Sequence, residues 1–320
     1  METRLPITTD CHVDLCWVQT KIGRFDLTEN NEGRYSDIDL PRMKLGGLQS
    51  AVFALYLSEQ MQDQYGPDES LNLICRQIAY LETQAGMTLV DDPEIALDCV
   101  SIGMTPIFLG LEGGRLLNND LTLLEKLRNQ GVRYLTVTHN KNTDWADSAT
   151  DVTKHHGLTP FGRRVVIEAN RVGILMDVSH GSWDTTNDIL IESTLPVIAS
   201  HSGAQRLVDH PRNLTDDHIR RIAETKGVIH IPFAKRFVKT WKGVADHIDH
   251  VVQTVGYATN VGIGSDLDGA ELADGIQDVS DWTRVVIDEL ALRGYPDTAI
   301  ANISGGNTLR VLGAGLGVGV

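Results

Sequence analysis

The sequence has few cysteines and no excess of basic residues. Its four cysteines, Cys11, Cys16, Cys75 and Cys99, are too few and too scattered for a disulfide framework, and no pair has the CxxC spacing of a zinc site, so we expect free thiols. Because 43 Asp and Glu outnumber 28 Lys and Arg, the formal net charge is −15. A field of that sign repels the phosphates of nucleic acid and of acidic membrane surfaces. We therefore expect neither nucleic acid nor a membrane as a partner.

Long hydrophobic runs and several familiar active-site motifs are also missing. No apolar stretch approaches the roughly 18 to 20 residues that span a bilayer, which argues against an integral membrane protein. Residues 1–7 show no basic segment followed by an apolar one, and no polar spacer precedes the apolar tail 313–320, so we expect a cytoplasmic protein without a signal peptide or lipid anchor. The motifs HExxH, GxSxG and GxxxxGK[ST] do not occur, which removes three large enzyme classes.

Short apolar runs alternate with amphipathic stretches along the whole chain. With 42% hydrophobic and 22% charged residues over 320 positions, and no repeat or linker, residues 1–320 are expected to form a single domain. Eight runs are predicted as strands: Thr8–Asp14, Gly47–Leu57, Met104–Leu111, Val132–Thr138, Gly173–Val178, Pro196–Ser200, Val228–Phe233 and Val261–Ser265. Helix-patterned stretches lie between them, and Thr215 and Asn118 are candidate helix caps. This alternation predicts an α/β fold, the (β/α)8 or TIM barrel, with an open doubly wound sheet as the alternative.

Histidine and acidic residues stand where six of the eight predicted strands end. They are His12 and Asp14 after the first strand, Glu112 after the third, His139 after the fourth, His180 after the fifth, His201 after the sixth and Asp266 after the eighth. The carboxyl ends of the strands of a parallel barrel meet at one mouth, so these side chains are expected to converge. Burying such groups together costs several kcal/mol per uncompensated charge, and divalent cations are the usual compensation. The pattern predicts a metal site at the mouth of the barrel, and its imidazole and carboxylate ligands suit zinc, with manganese or cobalt as substitutes.

The segments that carry these residues resemble those of the renal, or membrane, dipeptidases, which are binuclear zinc metallopeptidases with an amidohydrolase-like barrel. The resemblance runs from Asp10 to Asn307. It rests on HxDL followed by Trp17, and on GLEGG, RYLTVTHN, FGRRVVIEANRVGILMDVSH, PVIASHS, HPRN and GIGSDLDG, in that order.

The resemblance implies a barrel of the metal-dependent hydrolase type, a role for each matched residue and two zinc ions per chain. His12 and Asp14 would bind one zinc, His180 and His201 the second, and Glu112 would bridge both and so take part in catalysis. His139 would stabilise the oxyanion, and Asp266 would pass a proton to the leaving amine. Arg212 would hold the terminal carboxylate of the substrate, and Trp17 would wall the substrate pocket together with His139 and Asp266. The implied activity is hydrolysis of dipeptides with a free C-terminal carboxylate, including C-terminal D-residues; a homo-oligomer is compatible with the sequence.

Several alternatives remain beside this interpretation. The same metal centre would serve a zinc amidohydrolase that acts on N-acyl amino acids or other small amides. A deaminase or phosphotriesterase is disfavoured because those enzymes usually begin with HxH, and a barrel without catalysis is disfavoured because every matched ligand is present. Arg212 could instead pair with Asp209 at the surface, and Trp17 could serve only in packing. After the seventh strand the family commonly has an aromatic residue near the substrate, where this chain has Pro232 and Ala234.

The remaining histidines are expected to be structural or solvated. His155 and His156 are predicted in a solvated loop, and His247 and His250 on an exposed helix face. His230 lies in a predicted strand and could approach the pocket.

Overall fold

The computed structural model describes residues 6–316, so the expectations for residues 1–7 and 313–320 lie largely outside the described part. One parallel sheet holds the strands β1 (Thr9–Val13), β2 (Ser50–Leu55), β3 (Met87–Leu89), β4 (Thr105–Glu112), β5 (Val132–Thr136), β6 (Leu175–Asp177), β7 (Ile198–Ala199), β8 (Val228–Ile231) and β9 (Val261–Ile263). The order of pairing is β1-β2-β4-β5-β6-β7-β8-β9, and β3 pairs with β4 beside this path.

The two ends of this sheet meet, which closes the barrel. Beyond β9, Val13 forms a parallel bridge with Leu267. The amide of Asp14 donates to the carbonyl of Leu267 at 2.8 Å, and the amide of Asp266 donates to the carbonyl of His12 at 3.0 Å. The (β/α)8 prediction is therefore confirmed and the open doubly wound sheet is wrong. All eight predicted strands are present, and β3 is an addition that the sequence pattern did not indicate.

Helices follow the strands and surround the barrel. They are α1 (Leu15–Ile22), α2 (Leu40–Gly46), α3 (Glu59–Glu82), α4 (Pro93–Ser101), α5 (Thr122–Asn129), α6 (Pro160–Arg171), α7 (Trp183–Glu192), α8 (Asp216–Glu224), α9 (Lys235–Val238), α10 (Trp241–Val255), α11 (Glu289–Leu292), α12 (Asp297–Ala301) and α13 (Asn307–Gly313). Within residues 6–316, no helix is long and apolar enough to cross a membrane.

The hydrophobic core has two parts because alternate strand residues point to opposite faces of the sheet. Residues such as Val52, Phe108 and Tyr134 form a cluster with Leu309 and Leu312 of α13, inside the barrel. The neighbours of these strand residues, among them Phe53 and Leu109, pack with the surrounding helices in a second, larger cluster. The interior of the barrel is therefore filled with side chains.

Helix caps agree with the sequence at one of the two candidate positions. The hydroxyl of Thr215 accepts a hydrogen bond from the amide of His218 and starts α8, as predicted. Asn118 instead adopts a left-handed backbone, with φ 44°, and α5 begins only at Thr122. The candidate cap at Asn118 is therefore wrong.

Candidate metal centre and active site

Five side chains meet around one carboxylate oxygen at the mouth of the barrel. The Oε1 atom of Glu112 lies 3.2 Å from His180 Nε2 and 3.7 Å from the Nε2 atoms of His12 and His201. Asp14 Oδ1 lies 3.8 Å from His12 Nε2. All five residues are buried. The structure thus brings together the whole ligand set that the sequence suggested, with Glu112 in the middle.

The outer nitrogens of two of the imidazoles are held by hydrogen bonds that fix how each ring can ligate. The hydroxyl of Tyr134 donates to the carbonyl of Cys11 at 3.1 Å, so at 2.8 Å it accepts from His12 Nδ1. The hydroxyl of Ser200 donates to Asp177 Oδ2 at 2.6 Å, so at 2.8 Å it accepts from His201 Nδ1. Each Nδ1 therefore carries the proton, an assignment made from the hydrogen-bond network, and each Nε2 offers a lone pair to the centre.

The inward atoms of this cluster have no hydrogen-bond partner among the described residues. These atoms are His12 Nε2, His201 Nε2 and Asp14 Oδ1, and all three are buried. Buried polar atoms without partners cost free energy unless a ligand satisfies them. Imidazole nitrogens and carboxylate oxygens in this arrangement fit divalent zinc or a similar ion.

The electrostatics of the cluster favour a bound cation. Burial, together with repulsion from Asp266, raises the pKa of Glu112 to about 7. Burial and the nearby Glu112 raise the pKa of Asp14 well above its usual value. Burial and the charge of Arg212 lower the pKa of His12 to about 3, so this imidazole is neutral and able to ligate. Carboxylates that repel each other next to neutral imidazoles are the charge pattern that a divalent ion stabilises.

Positions i and i+2 of a strand share a face, which would place His12 and Asp14 together, but the structure positions Asp14 in another way. Two residues of β1 between Asp10 and Val13 oppose the single residue Val52 of β2, so a bulge interrupts the strand. Asp14 itself follows the strand end, at the N-cap of α1, with φ −94° and ψ 27°. The strand-to-helix turn, and not a shared strand face, therefore aims its carboxylate at His12.

Asp266 reaches the cluster around Glu112 from a turn formed by residues 266–269, DLDG. Its backbone is left-handed, with φ 64°, a conformation that non-glycine residues rarely adopt outside functional sites. At Gly269 a Cβ atom would overlap the carboxylates of Asp14 and Asp266. Glycine at this position is thus required by the close approach of both acids, and burial raises the pKa of Asp266 to about 6.

Asp177 is a functional residue that the sequence reasoning missed. Its carboxylate accepts hydrogen bonds from the hydroxyls of Thr136 and Ser200, both at 2.6 Å, and from the amides of Ser179 and Ser200 at 3.0 and 2.8 Å. It therefore orients His201 through Ser200. An aspartate inside the apolar run ILMDV was the available signal.

His139 is held by two further residues that the sequence did not single out. Its Nδ1 atom lies 3.0 Å from the hydroxyl of Tyr56 and 3.1 Å from Glu59 Oε1. Its ring centroid lies 4.5 Å from that of His180, beside the cluster around Glu112. Burial lowers its pKa, but the hydrogen bond to Glu59 and the charge of Glu112 outweigh burial, and the net shift is upward.

Arg212 is buried at the edge of the cluster and has no carboxylate partner. It is only 5% exposed, and its Nε and Nη2 atoms lack hydrogen-bond partners among the described residues. The guanidinium stacks 5.3 Å from the ring centroid of Phe237. Asp209 accepts from Gln205 instead, so the alternative of a surface pair between Arg212 and Asp209 is wrong. Burial lowers the pKa of Arg212 to about 10, which leaves it charged at neutral pH.

A cavity of about 180 Å³ joins these groups. Its lining comprises Asp14, Trp17, Tyr56, Glu112, His139, Asn140, Thr150, His180, Arg212, Arg236, Phe237, Asp266, Gly269 and Ala270. Trp17 packs edge-on against Tyr56, with 5.3 Å between ring centroids. Pro232 and Ala234 do not line this cavity, and Phe237 does, so an aromatic ring stands at the pocket although it comes later in the chain than expected.

The other histidines lie outside the cavity. His247 is buried, and its Nδ1 accepts from the amide of Ala204 at 2.8 Å, so its predicted exposure is wrong. His250 is partly buried and contacts Asp216 Oδ1 at 2.7 Å. His230 is buried and contacts the carbonyl of Ala199. His155 is half-buried and His156 is exposed.

Comparison with known proteins agrees with this geometry. Residues 3–315 match the family model described as membrane dipeptidase, peptidase family M19. A dipeptidase of Schizosaccharomyces pombe, described as uncharacterized, is 36% identical over 63% of this chain and 51% of its own length. Dipeptidase aclJ of Aspergillus oryzae is 30% identical over 97% of this chain and 78% of its own length. This chain thus spans about half the length of the first of these relatives.

A solved metallopeptidase of Rhodobacter sphaeroides superposes with a TM-score of 0.87, at 24% identity, over 97% of this chain and 99% of that one. This likeness shows that the two proteins share a fold. The family model covers nearly every residue, including all the strands that carry the cluster. The chain therefore belongs to the membrane dipeptidase family, peptidase family M19.

Proposed function

We propose that this protein is a binuclear zinc dipeptidase that hydrolyses dipeptides with a free C-terminal carboxylate. One observation carries the proposal: the buried, unpartnered guanidinium of Arg212 opens onto the same small cavity as the cluster around Glu112. A hydrolytic centre and a guanidinium that binds carboxylate, in one small cavity, select a substrate whose scissile bond lies close to its own carboxylate. Typical pockets for drug-sized ligands measure roughly 300 to 1,000 Å³, so a cavity of about 180 Å³ favours a small substrate.

The ligand assignment is the one that the family resemblance implies, and the contacts around Glu112 support it. His12 and Asp14 would hold one ion, His180 and His201 the other, and Glu112 would lie between them. When bound, such ions supply a water of lowered pKa and polarise the scissile carbonyl.

The remaining steps belong to the side chains of this protein. Arg212 would bind the terminal carboxylate with its paired N–H groups, since Nε and Nη2 are both free. Nδ1–H of His139 donates to Glu59, so Nε2 would donate to the developing oxyanion from the protonated ring, a form that the upward shift of the His139 pKa favours. Asp266 lines the cavity beside Asp14 and would carry the proton to the leaving amine.

A second candidate, hydrolysis of N-acyl amino acids, uses the same groups. Arg212 would hold the carboxylate of either substrate class, so this residue does not separate them. The neighbour from Rhodobacter sphaeroides was solved with a phosphinate mimic of the dipeptide L-Ala-D-Ala. That ligand makes dipeptides the first substrates to test and gives reason to include C-terminal D-residues.

The deciding experiment is a hydrolysis assay of the metal-loaded protein over three matched substrate sets. These are free dipeptides with C-terminal L- and D-residues, the same dipeptides with an amidated C-terminus, and their N-acetyl-amino-acid counterparts. We expect rapid release of amino acids from the free dipeptides alone. Equal rates on the amidated set would leave a general amidase, and preference for the N-acetyl set would establish the second candidate.

A further inference from the structure

The cavity holds a second guanidinium whose role is not explained by the groups described above. Arg236, on α9, lines the cavity together with Arg212. Its guanidinium lies 5.9 Å from the ring centroid of Phe237, and that of Arg212 lies 5.3 Å from the same centroid. One aromatic ring therefore positions both arginines at one end of the cavity.

Arg236 is free to bind a substrate. It is exposed, and it forms no ion pair or hydrogen bond with any residue in the range 6–316. Its neighbour Lys235 shows the contrast, because it pairs with Glu271 at 3.1 Å and Asp274 at 2.8 Å and does not line the cavity.

Two guanidiniums at one end of the cavity exceed what a single carboxylate needs. If Arg212 binds the α-carboxylate, the side chain nearest to Arg236 is that of the C-terminal residue. In aspartate and glutamate only two or three carbon atoms separate the side-chain carboxylate from the α-carboxylate, so both groups can reach the same end of the cavity. We propose that Arg236 selects dipeptides whose C-terminal residue is acidic. This inference rests on the proposed dipeptidase function.

The size of the effect follows from the exposure of Arg236. Exposed ion pairs contribute roughly 0.2 to 1 kcal/mol, which corresponds to a preference of at most about fivefold, and salt weakens them. A bidentate contact from the guanidinium of Arg236 to a carboxylate should give a larger substrate preference than the single charge of a lysine at the same position.

The test compares kcat/KM for Ala-Glu and Ala-Gln, which differ in one charge and have nearly the same shape, with L- and D-isomers of the second residue. Wild type, Arg236→Gln, Arg236→Lys and Lys235→Gln are loaded with zinc and assayed at low and high salt. We expect a wild-type ratio of about three- to fivefold in favour of Ala-Glu that falls as salt rises. The ratio should drop to about one in Arg236→Gln, recover partly in Arg236→Lys and stay at the wild-type value in Lys235→Gln.

Each other outcome overturns the inference in a recognisable way. A wild-type ratio near one, with Ala-Gln still cleaved, rejects the acidic preference and leaves the dipeptidase proposal intact. An equal fall of the ratio in Lys235→Gln and Arg236→Gln would mean a general field of positive charge and no contact by Arg236. No hydrolysis of any dipeptide would reject the dipeptidase proposal itself, and this inference with it.

Discussion

The carboxylate of Glu59 lies 3.1 Å from Nδ1 of His139, and this pair joins the first turn of α3 to the side-chain cluster around Glu112. The hydroxyl of Ser58 accepts from the amide of Met61 and fixes where that helix begins. The position of Glu59 is therefore set by a helix cap, and His139 is in turn oriented by Glu59. An acid at a helix start can thus control a ring that faces the substrate cavity.

The first prediction concerns this pair. Glu59→Ala should lower kcat about tenfold with little change in KM, because His139 would lose its orientation while the binding of substrate by Arg212 would stay. Glu59→Gln should retain more activity, since its amide oxygen can still accept from Nδ1. The measurement is steady-state kinetics on one dipeptide with metal content determined in parallel. A change in KM alone would show that Glu59 acts on substrate binding.

The second prediction concerns Glu112. Purified protein loaded with zinc should contain close to two ions per chain, and chelation should abolish activity reversibly. In Glu112→Gln both metal content and activity should fall, because a neutral amide bridges two cations poorly. Elemental analysis gives the content, and the exposed Glu82→Gln serves as control. Full activity with one ion per chain would contradict a binuclear centre.

The third prediction concerns Asp266, whose carboxylate lies within 4.8 Å of His12 and His201 and could therefore serve either as a ligand or as a proton carrier. Asp266→Asn should keep both ions and lower kcat by about 10²-fold or more, the usual scale for loss of general acid-base catalysis. Parallel metal analysis decides between the two roles. If the variant loses metal while kcat per bound ion is unchanged, Asp266 serves in metal binding.

The fourth prediction concerns Arg212. Truncation to alanine should cost about 2 to 5 kcal/mol in kcat/KM on a free dipeptide, since a desolvated carboxylate would lose its partner. Lysine should restore activity only in part because it lacks the fork. An amidated dipeptide should be a poor substrate of the wild type and lose little more in Arg212→Ala. An equally large loss on both substrates would point to a structural role for the arginine.

The sequence predicted those parts of the fold that depend on hydrophobic periodicity. Each of the eight predicted strands is found because long apolar runs between helical stretches are strong signals. β3 has only three residues, Met87–Leu89, and is too short for such a signal. The bulge in β1 is a tertiary feature, so alternation alone could not give the correct reason why Asp14 faces His12.

The residue pattern predicted the part of the candidate site at the strand ends, and the family resemblance added Arg212 and Trp17. His180 and His201 were visible because each follows an apolar strand, and the structure places both beside Glu112. Tyr56 and Glu59 come from a different part of the chain than His139, and only the packing of the barrel brings them to its Nδ1 atom. A search based on motifs therefore does not find residues that orient a site residue through a contact on the side away from the cavity.

His247 was misjudged although the sequence contained a signal. Val244, Ile248 and Val251 of α10 are all buried, and their spacing puts His247 on the same apolar face. Burial therefore keeps this imidazole neutral. Burial and repulsion from His250, partly offset by Asp246, lower the pKa of His247 to about 4.

The last prediction follows from that lowered pKa. Above pH 6.5 His247 is neutral in both the folded and the unfolded state and adds no pH dependence. Between pH 6.5 and 4 the unfolded chain binds a proton that the folded protein does not, so the free energy of unfolding falls as pH falls, by up to about 3 kcal/mol at pH 4.

His247→Gln can keep an acceptor for the amide of Ala204 but removes this proton. We expect the variant to be somewhat less stable at pH 7.5 and to lose less stability on acidification than the wild type. Urea unfolding of metal-free protein at pH 7.5, 6.0 and 5.0 measures how the free energy of unfolding changes with pH in the wild type and in His247→Gln. The control His156→Gln, at an exposed site, should follow the wild type. Parallel slopes for wild type and His247→Gln would mean that other groups account for the acid sensitivity.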